Sequence, residues 1–170
     1  MYPQVFVSAN AVGLQGADKV YSIQLRTYYP EDQIGLIAGR QVQDGASEAV
    51  LAFQYLDVFG FSDPQEALGQ KINITSSRFD LATIGIESKV FEATIVGITT
   101  ETLAATAVYV PYEYAMDMSR WQLNDADLYT ADNFGPFALL FTDNLQQAEI
   151  IASHVEELGM GASTQHDIIG

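Results

Sequence analysis

Cysteine is absent from the 170 residues and cations are scarce, with 7 Lys and Arg against 22 Asp and Glu for a formal charge of −15. The first absence excludes a disulfide framework, thiolate zinc sites, iron–sulfur clusters and a cysteine nucleophile, and it leaves the redox compartment unreadable. The second excludes a duplex-binding surface, which needs clustered Lys and Arg to displace phosphate counterions, so nucleic acid is not an expected partner. Adhesion to anionic lipid through a basic patch is excluded on the same ground. Long apolar runs are missing as well: Ala93 to Ile98 and Phe137 to Phe141 are strand-sized, far below the ~18 residues of a membrane span. No charged and then apolar leader opens these residues. That is expected of a cytosolic protein and equally of a domain taken from a longer membrane protein.

Core material is plentiful. Hydrophobic residues make up 48% and aromatics 11%, enough for one globular unit of one or two lobes that hides roughly 70% of the unfolded chain's surface. Charge is uneven: six basic residues lie at or before Lys89, and only Arg120 follows, against twelve carboxylates. Such an acidic second half reads first as solubility and second as an acidic docking face.

Strands are expected at Gln4 to Ser8 and at Val20 to Thr27, where Tyr21, Ile23 and Leu25 alternate with polar residues, with a turn-like Gly13 to Asp18 between them. Tyr28 to Asp32 is a loop and Ile34 to Ala38 an apolar run. Ala49 to Phe53 reads as a strand running into a short helix that Gly60 ends. Asp63 suits an N-cap, Pro64 the first helical position, Glu66 the reciprocal cap and Gly69 the stop. Gln70 to Thr75 is extended. Phe79 to Ile86 and Phe91 to Thr99 are β candidates joined by a hairpin connection at Glu87-Ser88-Lys89. Ala107 to Pro111 is a strand stopped by proline, Tyr112 to Trp121 a helix, and Gln122 to Gly135 a polar break suited to a long loop or a boundary. Phe137 to Phe141 is expected as a buried strand. Asp143 or Asn144 then caps a helix with Leu145, Ala148, Ile151, Ala152, Val155 and Leu158 on one face, which Gly159 ends. Ala162 to Ile169 would close a parallel strand-helix-strand unit. The whole is an α+β pattern.

Catalytic motifs are missing by mechanism: no nucleophile elbow, P-loop lysine, dinucleotide glycine fingerprint or H-E-x-x-H occurs. His154 and His166 have Ser153 and Asp167 beside them, but neighbours in sequence point apart on a helix or strand, so no triad and no catalytic residue is expected. Asp125, Asp127 and Asp132, with Asn124, offer the oxygen ligands calcium favours, yet lack the glycine and bidentate glutamate of an EF-hand loop; a solvated loop is expected, with no metal and no cofactor. Asn73-Ile74-Thr75 is a glycosylation sequon inside an expected strand. Tyr109, Tyr112, Tyr114 and Trp121 gather around Pro111, either as an interaction surface or as core cover.

The order of segments resembles a known family. Gly39-Arg40, the apolar Ala49 to Phe53, Phe59-Gly60, Ala67 to Ile74 (ALGQKINI), Ala93 to Ile98 (ATIVGI) and Val108-Tyr109-Val110-Pro111 before a helix follow one another as in the MacB-like periplasmic core domain. This is the extracytoplasmic domain of FtsX-like and MacB-type ABC transporter permeases. The likeness runs from about Leu36 onward and rests on order and spacing. It departs at Gln70, which shifts the family's lysine by one, and at Ser76 to Lys89, which exceeds the usual turn; residues 1 to 35 match only in general character. The resemblance implies a single extracytoplasmic domain over 1–170 with two lobes. A porter-like strand-helix-strand lobe would take approximately 1–33 plus 122–170, and an inserted, mostly β lobe approximately 34–121. It further implies no enzyme activity, a place outside the bacterial cell membrane, and a role in docking and mechanical transmission. The implied partners are the transmembrane helices of the same permease, an ATP-binding cassette subunit or domain in the cytoplasm, protein, peptide or lipid cargo, and a second copy in the full transporter. Two other classes stand beside it: a carboxylate-based extracellular hydrolase, which requires paired acids in one cleft, and a free-standing adhesion or scaffold domain.

Overall fold

The computed structural model describes residues 1–101, 107–130, 132–133, 135–142 and 144–164, with the backbone alone at 145. In chain order the elements are β1 (Tyr2–Pro3), β2 (Ala11–Leu14), β3 (Leu25–Tyr28), β4 (Leu36–Gly39), β5 (Glu48–Leu51), α1 (Tyr55–Phe59) and α2 (Pro64–Ala67). They continue with β6 (Lys71–Asp80), β7 (Gly85–Thr99), β8 (Val108–Pro111), α3 (Tyr112–Leu123), β9 (Ala138–Leu139) and α4 (Leu145–Glu157). The fold is α+β. Contacts gather the chain into two units, Val5–Phe134 and Met1–Gln4 with Gly135–Gly170.

The larger unit is built on a seven-stranded mixed sheet in the order β2-β6-β7-β5-β8-β3. β4 is the remaining strand: Ala38 and Gly39 pair with Ile98 and Gly97, which pair with Leu51 and Val50 on their other side, so β4 prolongs the row of β6. β5 runs parallel to β7 and β3 parallel to β8, while the other pairings are antiparallel. One face is apolar by alternation. Ile72 and Ile74 of β6, Ala93 and Ile95 of β7 and Val108 and Val110 of β8 are all buried. Against that sheet lies α3, whose Tyr112, Ala115, Met118 and Ser119 are buried at helical spacing and which packs on β6, β8 and β3. A smaller apolar cluster joins Tyr28, Val42 and Val50 with Ile34, Leu36, Val96 and Tyr109.

Local signals act as expected where the deciding residues are neighbours. Asp63 Oδ1 accepts from the Gln65 amide at 2.8 Å while Glu66 Oε2 accepts from the Asp63 amide at 3.4 Å, a complete capping box with Pro64 at the first helical position. Gly60 caps α1 in the left-handed region at φ 83°.

Five expectations are corrected. The strand expected at Val20 to Thr27 forms only over Leu25–Tyr28, because Tyr21 bridges to Val12 on the opposite edge of the sheet before the chain reaches β8. Gln4 to Ser8 makes no strand; the Val5 amide donates to the Tyr29 hydroxyl instead. Gly13 belongs to β2, and the turn follows at Gln15 and Gly16. The hairpin turns at 81–84 rather than at Glu87-Ser88-Lys89, which lie inside β7: Glu87 pairs with Arg78 across the ribbon and Lys89 covers the Phe91 ring, so polar side chains are satisfied within a strand. In the smaller unit β9 covers only Ala138–Leu139, stays partly exposed and pairs antiparallel with β1. Two residues suffice there because β1 itself is that short.

The cap of α4 is Asn144, whose Oδ1 accepts from the Gln147 amide at 2.9 Å. Its expected apolar face is half-buried at Ala148, Ile151, Ala152 and Val155, and Leu158 is exposed. Residues 162–164 form no strand, and the rest of the expected closing strand lies outside the described residues, as do Asp143, His166 and Asp167. Leu25–Tyr28 and Val108–Pro111, assigned above to different lobes, are neighbours in one sheet.

Candidate functional site

The aromatic cluster around Pro111 divides by helical and strand geometry. Tyr109 alternates away from Val108 and Val110 and joins the Tyr28–Val42–Val50 cluster. Tyr112, at the start of α3, is buried against Tyr29 with ring centroids 5.4 Å apart. Tyr114 and Trp121 both meet the edge of Phe91, at 6.3 and 5.8 Å. Tyr114 donates to the Glu92 carbonyl at 2.6 Å, and burial, helped by the Glu92 charge, pushes its phenol up to about 12. Tyr109 and Tyr112 are therefore core cover, Tyr114 is half-buried, and Trp121, also half-buried, lines an open cleft.

Cations of a cation-poor chain collect on that surface. The Arg78 guanidinium lies 4.8 Å from the Trp121 ring centroid and donates to the Trp121 carbonyl at 2.9 Å and to Asn124 Oδ1 at 3.0 Å, while its Nε donates to Glu87 at 2.8 Å. Lys89 Nζ sits 4.6 Å from the Phe91 centroid. Beside them an open cleft of about 470 Å³ is lined by Arg78, Asp117, Arg120, Trp121, Asn124, Asp125 and Ala126. Its charges are already engaged. Arg120 holds the Leu128 carbonyl at 2.8 Å and Asp117 at 3.3 Å. Asp125 accepts from the Asp127 amide at 3.0 Å and from Asn133 Nδ2 at 3.1 Å. The two acids lining the cleft are thus each spent on a different neighbour rather than on one another, and no acid–base dyad is assembled there.

The remaining candidates separate. Among the described residues no three His, Cys, Asp or Glu are arranged to hold a metal ion, so Asp125, Asp127 and Asp132 share a loop without converging on one point. Ser153 donates to the Glu149 carbonyl and His154 faces Glu157 at 3.5 Å on the exposed side of α4. Asn73 is half-buried in β6 between β2 and β7, with its Oδ1 buried and unmatched by any donor among the described residues, so the sequon lies in a paired strand rather than in a loop. Arg40 and Glu48 form a two-pronged pair, with Arg40 Nη1 to Oε2 at 2.8 Å, and the Gln43 amide donates to the same carboxylate at 3.0 Å. The Arg40 hydrogen bonds hold the Glu48 carboxyl below its ordinary range. Asp32 goes the other way, pushed up by burial although the Tyr29 amide donates to it.

Sequence reasoning missed the meeting of Arg78 and Lys89 with Trp121, because a turn set at Glu87 to Lys89 removes them from one face of a ribbon. The signal that finds it is register: counting back from Phe91 opposite Ile74 puts Lys89 opposite Ser76 and Glu87 opposite Arg78. Compared with known proteins, the chain matches no protein-family model and no curated protein.

Proposed function

We propose that this chain is a non-catalytic extracytoplasmic domain of an ABC transporter permease, a docking and mechanical-transmission element on the outer side of a bacterial cell membrane. One observation supports the reading above the others: the ordered segments that carry the resemblance occupy one continuous piece of the fold. Gly39-Arg40 closes β4, Ala49 to Phe53 covers most of β5, and Phe59-Gly60 ends α1. Ala67 to Ile74 passes from α2 into β6, Ala93 to Ile98 lies in β7, and Val108–Pro111 is β8 leading into α3. The glycines of two segments have a common physical reason. Gly39 (φ 74°) and Gly97 are register partners at the β4–β7 crossing, where a Cβ on Gly39 would strike the Val96 carbonyl and one on Gly97 the Arg40 carbonyl.

On this reading the domain hydrolyses nothing. Transmembrane helices of the same permease carry motion to it from a cytoplasmic ATP-binding cassette subunit, two copies work together, and its surface meets protein, peptide or lipid cargo. A sheet suits such transmission, because core strands open only at free energies near that of the whole fold. The test is the parent reading frame on both sides of these residues, scanned for apolar segments of membrane length. Such segments on both flanks are expected. A frame that encodes this domain with no such segment overturns the proposal.

A further inference from the structure

Beyond Thr75, the last residue of β6 to pair with β2, β6 and β7 continue as a two-stranded ribbon as far as Asp80 opposite Gly85, closed by the turn 81–84. Residues opposite one another share a face. One face carries the Ser76–Lys89 and Arg78–Glu87 pairs and is tied to the body: Arg78 grips the Trp121 carbonyl and Asn124, and Lys89 Nζ lies 5.9 Å from the Trp121 ring centroid. The other carries Thr75–Val90, Ser77–Ser88 and Phe79–Ile86 and is bare of charge. Toward the tip its apolar side chains stand in water, with Phe79 59%, Leu81 83%, Ile84 82% and Ile86 79% exposed. The clamp on the first face keeps the ribbon projecting instead of letting it fold back over these groups. Ile84 adds a second anomaly: it is β-branched yet sits in the left-handed region at φ 50°, with its side chain outward. A fold gains nothing from an exposed apolar residue in a strained turn position, and such patches mark interaction sites.

We propose that the tip of this ribbon, Phe79 to Ile86, docks into an apolar groove rimmed by cationic side chains on a partner protein. The choice of occupant rests on charge. Asp80 pairs opposite Gly85 on the clamped face, but its carboxylate is held against the turn by the Ala82 amide and the Thr83 hydroxyl, at 2.9 and 2.8 Å, so a carboxylate stands at the edge of the tip wherever the apolar residues dock. Hydrocarbon gives that carboxylate no partner, and a second copy of a chain with net charge −15 brings a further carboxylate to meet it. A cation on the rim of a protein groove pairs with it and with the acidic body behind it. This inference deepens the docking role proposed above and rests on it.

The test uses the full chain and three probes: an amphipathic helical peptide with a leucine face and a lysine flank, its counterpart with a glutamate flank, and phosphatidylcholine vesicles. Binding is read by fluorescence anisotropy at physiological salt. The lysine peptide is expected to bind. The double variant Leu81→Ser with Ile84→Ser should weaken it by about tenfold, Asp80→Asn by several-fold, and the charge-matched control Asp57→Asn not at all. The glutamate peptide and the vesicles should bind at least about tenfold more weakly than the lysine peptide. Thermal melting checks that each variant is folded, and Asp80→Asn keeps the turn's acceptor. Equal loss in Asp80→Asn and Asp57→Asn, or none in either tip variant, overturns the proposal in favour of diffuse attraction. Vesicle binding lost in the tip variants overturns it in favour of a bilayer, and self-association lost in them overturns it in favour of a second copy. A failed tip with membrane segments found in the reading frame removes this inference and leaves the permease reading standing, so the two failures are distinguishable.

Discussion

Glu48 and Ile84 show opposite relations between a side chain and stability. Arg40 and the Gln43 amide favour the ionised form of Glu48, so its folded-state pKa lies below the unfolded value. A depressed carboxylate contributes stability above the unfolded pKa, near 4, and loses it as pH falls through the lower folded value. Glu48→Gln should therefore cost little stability at pH 3 and more at pH 7, measured by urea unfolding at both. Because Arg40 is about half exposed, the difference should stay within about 1 kcal/mol. Ile84 is the reverse case: at φ 50° a β-branched residue strains the turn, and Ile84→Gly should stabilise the protein by about 1 kcal/mol in the same assay. The variant that helps the fold removes an anchor of the proposed docking tip, so stability and peptide binding should move in opposite directions. Residue-scale legibility followed distance along the chain. Asp63, Pro64, Glu66 and Gly60 were readable because their partners lie within four residues, whereas nothing local announced that Trp121 would receive Arg78 from 43 residues away.

Elements were legible in proportion to how much of their stabilisation is internal. The short helix α2 is held by its capping box and its proline, and Asp63→Ala should cost about 1 kcal/mol and loosen the Gly69–Ile95 junction into β6, seen as faster amide exchange there. The β8–α3 break was equally readable, since Pro111 ends a ladder and begins a helix within one residue. Strands behaved otherwise. Alternation in Val20 to Thr27 and in Phe79 to Ile86 tells which residues share a face but not which strand lies alongside, so by itself it sets the hairpin turn several residues late and does not distinguish the isolated bridge at Tyr21 from a strand. The polar run Glu87-Ser88-Lys89 looked like a turn because its cross-strand partners, Arg78, Ser77 and Ser76, cannot be known before the register is.

For the whole molecule, charge is the dominant global term. With −15 spread over 170 residues, self-repulsion opposes the compact state, and added salt screens it. The melting temperature should rise on going from about 10 mM to about 150 mM sodium chloride, an effect that differential scanning calorimetry would read. A flat or falling profile would mean that local pairs such as Arg78–Glu87 and Arg40–Glu48 outweigh the net repulsion. The same charge bears on partners, since it disfavours nucleic acid and anionic lipid and favours cationic protein surfaces.

The amino-acid order by itself determined the α+β class, the short capped helices, the proline break before α3, the acidity and the absence of cysteine chemistry, because each depends on composition or on contacts within a few residues. Tertiary structure decided the strand order, the true hairpin turn, the division of the tyrosines between core and surface, and the clamp of Arg78 and Lys89 that leaves one ribbon face bare. Those outcomes depend on register, and register is chosen by the packing of residues that are remote in sequence and become neighbours only when the sheet closes.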